Sequence, residues 1–478
     1  VLLRFFRIND PYRLLGLFIL LILLGLPFFI DPAPATLQEL KSFVLGEAIR
    51  DGKLMYIQVF DSTAPWTANT FGLINWLFGR SLIIQHSLAL VLIFFQAAFF
   101  AVLLIQNKAY NDNTYVPALV FGLLCFFSFD LLSFSPELLA STVLLLALNN
   151  LFKEIEFRIQ RDEIILNLGV FLGVATLLIF SYVVFLFGTI FILFLFTRLS
   201  ARKLLLLLFG FILPHALLIT LYFLRGEAPS LWQNFYVPNL TFHGTAFITL
   251  SSIIALCALP FGYFVFSLFM LNREARFTKY QSQLFQVMFQ WMLFCLVQVL
   301  VTREFTPHSL IIFIPSLAYF ISHYLLLIRR KWIANTMLWI FLIGILAVNL
   351  LSRYNKLNRI NYATLFPGES PYSRAIKNQR VMVLTDDKGV YQQNRLAGYF
   401  LDWDLSRKVF EEPDYYENVM LVHHVFKSDP PEVIIDPSGL MNRFFDRIPE
   451  WKAGYRRDSV FYRRVPALSP LNRGGADH

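Results

Sequence analysis

The sequence predicts an α-helical polytopic membrane protein, with about eleven transmembrane helices and a C-terminal extracytoplasmic α/β domain. Three observations carry that expectation. Hydrophobic residues make up 57% of the 478 positions and charged residues only 15%, where a soluble globular chain carries roughly 25% charged residues. Apolar runs close to the roughly 20 helical residues that cross bilayer hydrocarbon recur through residue 351. Finally, residues 1 to 352 hold 22 Lys+Arg and 16 Asp+Glu, whereas the much shorter stretch 353 to 478 holds 19 and 16. The expected division is therefore a membrane body, 1-352, and a polar outer domain, 353-478. An ordinary soluble enzyme is excluded, and the net charge of +9 splits as +6 and +3 over the two parts, with no long basic run or zinc-finger spacing that would call for nucleic acid.

The expected spans lie near 14-30, 81-106, 114-132, 135-152, 164-180, 182-198, 204-223, 248-271, 283-302, 309-328 and 332-351. The first follows Arg4, Arg7 and Arg13 but leads into Asp31-Pro32-Ala33-Pro34, a poor cleavage site, so it reads as a retained span rather than a signal peptide. Thr67 to Gly79 is too short to cross and rich in aromatics, which suits a helix along the membrane surface. Sixteen Lys and Arg fall in one alternating set of connections and six in the other. The bias of basic residues toward the cytoplasm then puts the N-terminus inside and the tail outside. A multi-pass protein of a bacterial inner (cytoplasmic) membrane, with its tail in the periplasm, is the expected location.

The outer set includes the long 31 to 80 and 224 to 247 segments, the short 131 to 134 and 303 to 308 connections, and the tail. Alternating patterns in the tail predict strands at 381-384, 432-435 and 461-464, and helices at 391-401, 414-426 and 440-447. The last residues, 468 to 478, read as a frayed end. Cys125, Cys257 and Cys295 lie in apolar runs without a CxxC pair and read as small core residues. No GxxxxGK[ST] phosphate loop, HExxH zinc helix or GxSxG elbow occurs, and the spans hold almost no central ionisable residues of the kind coupled transport needs.

Chemistry is sought in the outer segments. The first outer loop carries Glu39, Glu47, Asp51 and Asp61, and carboxylates there suit a hard cation or a general base toward a hydroxyl. Glu47 and Asp51 read as the solvated face of an amphipathic helix over 37-50. Asp130 ends the third span and Glu137 opens the fourth, where a carboxylate also suits the helix dipole. The 303 to 308 connection, Arg303-Glu304-Phe305-Thr306-Pro307-His308, offers a guanidinium fork and an imidazole to a lipid phosphate. His243, amid aromatics, is a weaker candidate.

The order and spacing of these segments resemble the polytopic glycosyltransferases of the GT-C superfamily, in particular the bacterial branch of protein mannosyltransferases and lipid A aminoarabinose transferases. The stretches that carry it are Gln38-Glu39 through Gly52, Tyr56, Asp61 to Trp66, and Leu77-Phe78-Gly79-Arg80-Ser81. Ser135-Pro136-Glu137-Leu138-Leu139, Arg303 to Pro315 and the outer tail add to it. The resemblance implies transfer of a sugar from a polyprenyl-phosphate donor to an acceptor on the extracytoplasmic face. Glu39 or Asp61 would be the base, with Glu137 orienting it or sharing a divalent cation with Glu39, and Arg303 with His308 would hold the phosphate. Two departures stand out: Gln38-Glu39 replaces the family's Asp-Glu, and Ala64-Pro65 replaces Pro-Pro. The alternative they leave open is a non-catalytic subunit bound to other membrane proteins of an envelope assembly.

Overall fold

The structure, a computed structural model, describes residues 2–156, 161–241, 244–274, 277–354 and 356–465; His243 and the 468–478 end lie outside them. Among the described residues, eight helices are long and apolar enough to cross a membrane: Arg13–Ile30, Leu82–Gln106, Pro136–Ile155, Ala201–Leu224, Leu250–Arg273, Lys279–Val301, Pro307–Leu327 and Lys331–Arg353. They bear out a multi-pass membrane body, and large apolar side chains such as Leu217, Phe223, Phe269 and Leu300 stand on its outside, as lipid contact requires.

The other three expected spans fold as shorter helices: Val116–Leu124, Asp162–Thr176 and Val184–Phe196. The first leaves the helix at Leu124, although only Ser128 and Asp130 interrupt the apolar run that follows. Asn349 donates to the Phe126 carbonyl at 2.5 Å, satisfying backbone freed at the break. The chain then resumes as a 3-10 turn, Phe129–Leu132, that carries Asp130. The next helix stops at Thr176, whose hydroxyl turns back to the Gly173 carbonyl.

Asp162–Thr176 packs on Ala201–Leu224 through small residues. A Cβ built at Gly169 would lie 2.2 Å from the Leu207 carbonyl oxygen, and one at Gly210 would lie 2.3 Å from that of Leu166. Such an approach is open only to glycine, and close backbone contact is what holds helices together where the surroundings are as apolar as the side chains. Gly169→Val is expected to cost about 3 kcal/mol, high in the range for overpacking because backbone must yield. A melting curve of the purified protein in detergent reads this loss.

Outside the spans, Leu37–Arg50 and Pro65–Phe78 form two helices packed against each other, at the positions expected of surface helices. Pro65 pre-sets the first turn of the second, and Gly79, at φ +66°, ends it. Glu47 corrects the sequence reading: it is 7% exposed, not solvated, and both its oxygens receive the Arg80 guanidinium at 2.7 and 2.8 Å. Asp51 remains exposed.

The tail builds a five-stranded sheet in the order Arg395–Leu396, Arg380–Val383, Val433–Ile435, Phe461–Arg464, Tyr455–Asp458. The first three strands are parallel and the last two antiparallel. Helices Trp403–Glu411, Tyr416–Ser428 and Met441–Arg447 accompany it. The expected 391-401 helix is not formed. Asn394 caps the Ile376 and Val390 carbonyls, the chain pairs as a strand at Arg395–Leu396, and Gly398 at φ +73° turns it away. The sheet region sits on the segment that joins Arg13–Ile30 to Leu82–Gln106. Phe60 donates to Tyr399 and accepts from Asp402, Lys53 reaches the Gly398 carbonyl at 2.8 Å, and Arg80 adds the Tyr391 carbonyl at 2.9 Å.

Candidate functional site

The Leu37–Arg50 helix sets the site through its first turn. Thr36 and Glu39 form a reciprocal cap: the Thr36 hydroxyl accepts the Glu39 amide, and Glu39 Oε2 accepts the Thr36 amide at 2.8 Å. The other Glu39 oxygen lies 3.1 Å from His86 Nε2, and the side chain is 5% exposed. Burial alone would push its carboxyl up, but His86 and the Thr36 amide hold it below the usual range. Fixing Glu39 on this side turns Gln38 and Lys41 toward a cavity between the helix and the spans.

Lys41 anchors an ion cluster there, with its ammonium 3.2 Å from Asp61 and 3.7 Å from Glu304. Burial disfavours the ammonium, yet the charges of Asp61 and Glu304 outweigh it and raise its pKa above the ordinary lysine value. Asp61 also accepts the Thr63 amide at 2.7 Å, an Asx turn leading to Pro65. Burial pushes its pKa up, but Lys41 and Thr63 bring it below normal. Glu304 is held low mainly by Lys41. Asp402, from the tail, is pushed up by burial and then by the charge of Asp61.

Depressed carboxylates stabilise the fold above their unfolded pKa values, near 4, and that stability is lost as pH falls through the still lower folded values. Lowering the pH from 5 to 3 is therefore expected to destabilise the protein, and Lys41→Met to lose less over that window. Thermal unfolding in detergent across the same pH series checks both.

Glu137 opens the Pro136–Ile155 helix behind its Ser135 cap and accepts the Gln38 amide at 2.8 Å. Arg303 follows the Lys279–Val301 span. It lies 3.7 Å from Asp402, and its Nη1 is buried without a partner among the described residues. Both line a cleft holding about 830 Å³ of empty space, including space open to solvent, together with Ser62, Asn239 and an apolar flank of Phe71, Phe180 and Phe235. A smaller chamber adjoins it across Gln38, Lys41 and Glu304, and is lined further by Asp130, Thr306, His308 and Lys388. His308 Nε2 stands 3.7 Å from Asp130.

Of the residues singled out from the sequence, Glu137 and Arg303 thus share the cleft, while His308 faces the adjoining chamber. Glu39 and Asp61 lie just behind the walls, each already engaged. The donor set does not suit a divalent cation: Glu39 is held by Thr36 and His86, Glu137 by an amide, and no third acidic, His or Cys ligand joins them among the described residues. Sequence reasoning missed Lys41, Glu304, Lys388 and Asp402. Lys41 had a signal, three residues after Gln38 on one helix face; Lys388 and Asp402 had none, because only the docking of the tail brings them near.

No protein-family model and no curated protein sequence matches the chain. Among solved structures it is similar to ArnT from Cupriavidus metallidurans bound to undecaprenyl phosphate, with a TM-score of 0.56 and 13% identity over 95% of this chain and 99% of that one. The apo state of the same protein gives 0.54 and 12% over 94% and 97%. A weaker likeness, 0.46 and 10% over 96% and 75%, links it to the oligosaccharyltransferase of Archaeoglobus fulgidus.

Proposed function

We propose that this chain, which has the fold of the GT-C membrane glycosyltransferases, transfers a sugar from a polyprenyl-phosphate donor to an acceptor hydroxyl at the outer face of a bacterial inner membrane. The observation that carries the proposal is the cleft in which a carboxylate with no cationic partner among the described residues, Glu137, and a guanidinium with a buried unpaired nitrogen, Arg303, face an apolar flank. A lipid phosphate has these needs: an apolar wall for its chain, a cationic fork for its oxygens and a base nearby. That the solved relative is described with undecaprenyl phosphate bound supports the same lipid class here. All of these groups belong to the segments that charge asymmetry assigns to the outside, which supports the orientation with the N-terminus inside.

In the proposed reaction Glu137 takes the acceptor's hydroxyl proton as the oxygen bonds to the anomeric carbon. The bond from that carbon to the phosphate oxygen breaks, its electron pair stays on the phosphate, and Arg303 stabilises the charge left there. Glu39 and Asp61 serve as positioning groups: the first fixes the helix that presents Gln38, and the second fixes Lys41. Residues 1-352 would then be the transferase body and 353-478 an outer domain that closes the site with Lys388 and Asp402.

The test is to incubate the purified protein with polyprenyl-phosphate sugars and an envelope extract as acceptor, and to follow release of bare polyprenyl phosphate. Release by the wild type supports the reading, and an inert wild type across hexose and pentose donors removes it. Gln38, where the resemblance expects an acid, favours a second reading, a non-catalytic subunit. Inert lipid together with a stably co-purifying membrane protein would carry that one.

A further inference from the structure

Arg303 meets the tail as well as the cleft. Its Nη2 lies 3.7 Å from Asp402 Oδ2, a charge contact too long for a hydrogen bond, and its Nη1 is buried without a partner among the described residues. The guanidinium is thus partly neutralised, yet keeps a donor for a phosphate. Asp402 itself is fixed through both backbone and side chain. Its amide donates to the Phe60 carbonyl at 3.0 Å, its Oδ1 accepts the Asp404 amide at 3.0 Å as the cap of the Trp403–Glu411 helix, and the Ser62 hydroxyl donates to Oδ2 at 3.4 Å. Ser62 and Arg303 line the cleft. Asp402, in contact with both, sets a carboxylate just behind the wall at which the lipid phosphate is proposed to bind.

Helix capping does not call for that charge. Asn and Ser cap about as well as Asp, and a carboxylate is the costlier occupant: Asp402 is 8% exposed, and burial followed by the charge of Asp61 pushes its pKa up. Lys41 already serves Asp61 and Glu304, so Arg303 is the cation paired with Asp402 among the described residues.

What a fixed charge behind a phosphate site does follows from the proposed reaction. The donor is a phosphodiester with one negative charge. The product, bare polyprenyl phosphate, is a monoester whose second proton leaves near pH 6, so at neutral pH it carries about −1.5 to −2. Repulsion from a carboxylate scales with the charge on the ligand, and Asp402 therefore opposes the product nearly twice as strongly as the donor. It opposes equally the charge that builds on the phosphate during transfer, so its contribution belongs to release rather than to chemistry.

We propose that Asp402, acting through Arg303, tunes the cleft to hold a singly charged phosphodiester and to let go of the more highly charged monoester that transfer leaves behind. The proposal rests on the transferase reading and adds to it how the lipid product departs. It also gives the docked tail a part in turnover, because the bridge between Phe60 and Phe400 sets how far this carboxylate stands from the cleft.

The experiment measures dissociation constants of the full chain, in nanodiscs of zwitterionic lipid at neutral pH, for two probes that carry no sugar. One is bare undecaprenyl phosphate; the other is its methyl phosphodiester, with the same chain and a single charge. Asp402→Asn keeps the helix cap and removes the charge. It is expected to tighten the methyl diester about threefold and the bare lipid about tenfold, since doubling the charge on the ligand squares the factor. A purely structural role would move both constants alike. Should Asp402→Asn fail to fold, Asp402→Ser, which also caps a helix, carries the same comparison. Equal changes for the two probes, no change for either, or weaker binding of the bare lipid overturns the role of Asp402 alone. A wild type that binds neither lipid overturns the transferase reading along with it.

Discussion

Glu137→Gln is expected to lower transfer by about 10²- to 10⁴-fold, the usual contribution of a positioned general base, while the protein still purifies folded in detergent. The reason is local. Glu137 is the carboxylate that lines the cleft beside Arg303 while its only hydrogen-bond donor among the described residues is an amide, Gln38. Glu304 lines the same cleft but is tied to Lys41. A companion variant, Gln38→Glu, keeps the shape, removes the donor and sets a second carboxylate against the first. Like charges so close favour protonation, so the acidic limb of its pH–rate profile is expected to move to higher pH. Measuring the rate of bare polyprenyl phosphate release over pH for all three proteins decides the matter: full activity in Glu137→Gln would return the base role to Asp61 or Glu39.

Arg303→Met is expected to weaken binding of undecaprenyl phosphate about 10- to 100-fold, the equivalent of losing charge-assisted hydrogen bonds of about 1.5–3 kcal/mol. Arg303→Lys, which keeps the charge but not the planar fork, is expected to fall between. Asp402 loses its guanidinium neighbour in the Met variant, so a melting curve accompanies the titration. Because burial and Asp61 already raise the Asp402 pKa, the variant is expected to lose more stability at neutral pH than at pH 4, where that carboxyl takes a proton more readily. Unchanged lipid binding in Arg303→Met would remove Arg303 from the site.

Several parts of this arrangement were legible in the residues. Apolar length placed the membrane helices, Pro65 and Gly79 bounded a surface helix, and Val433–Ile435 and Phe461–Arg464 announced themselves as strands by pattern. The site was legible as a set of segments rather than as contacts. Glu39 looked like a base because acidity just above a membrane suggests chemistry, but its partners, Thr36 and His86, had already engaged both oxygens. Glu47 looked solvated because helical periodicity cannot register an arginine 33 residues away. The 391-401 stretch looked helical because its side chains permit a helix, whereas a neighbouring strand edge and Gly398 made it a strand and a turn.

The sequence by itself determined that the chain lives in a bilayer, because long apolar runs at helical length satisfy their own backbone in hydrocarbon, where no water can. It determined also which connections carry ionisable groups. What tertiary structure alone decided is which of those groups face open space and which are matched to one another. Pairing depends on where distant segments meet: Gln38 against Glu137, Lys41 between Asp61 and Glu304, and the tail's Asp402 beside Arg303. A carboxylate's reactivity is set by its nearest neighbours in a medium that screens poorly, and those neighbours are fixed only once the chain has folded.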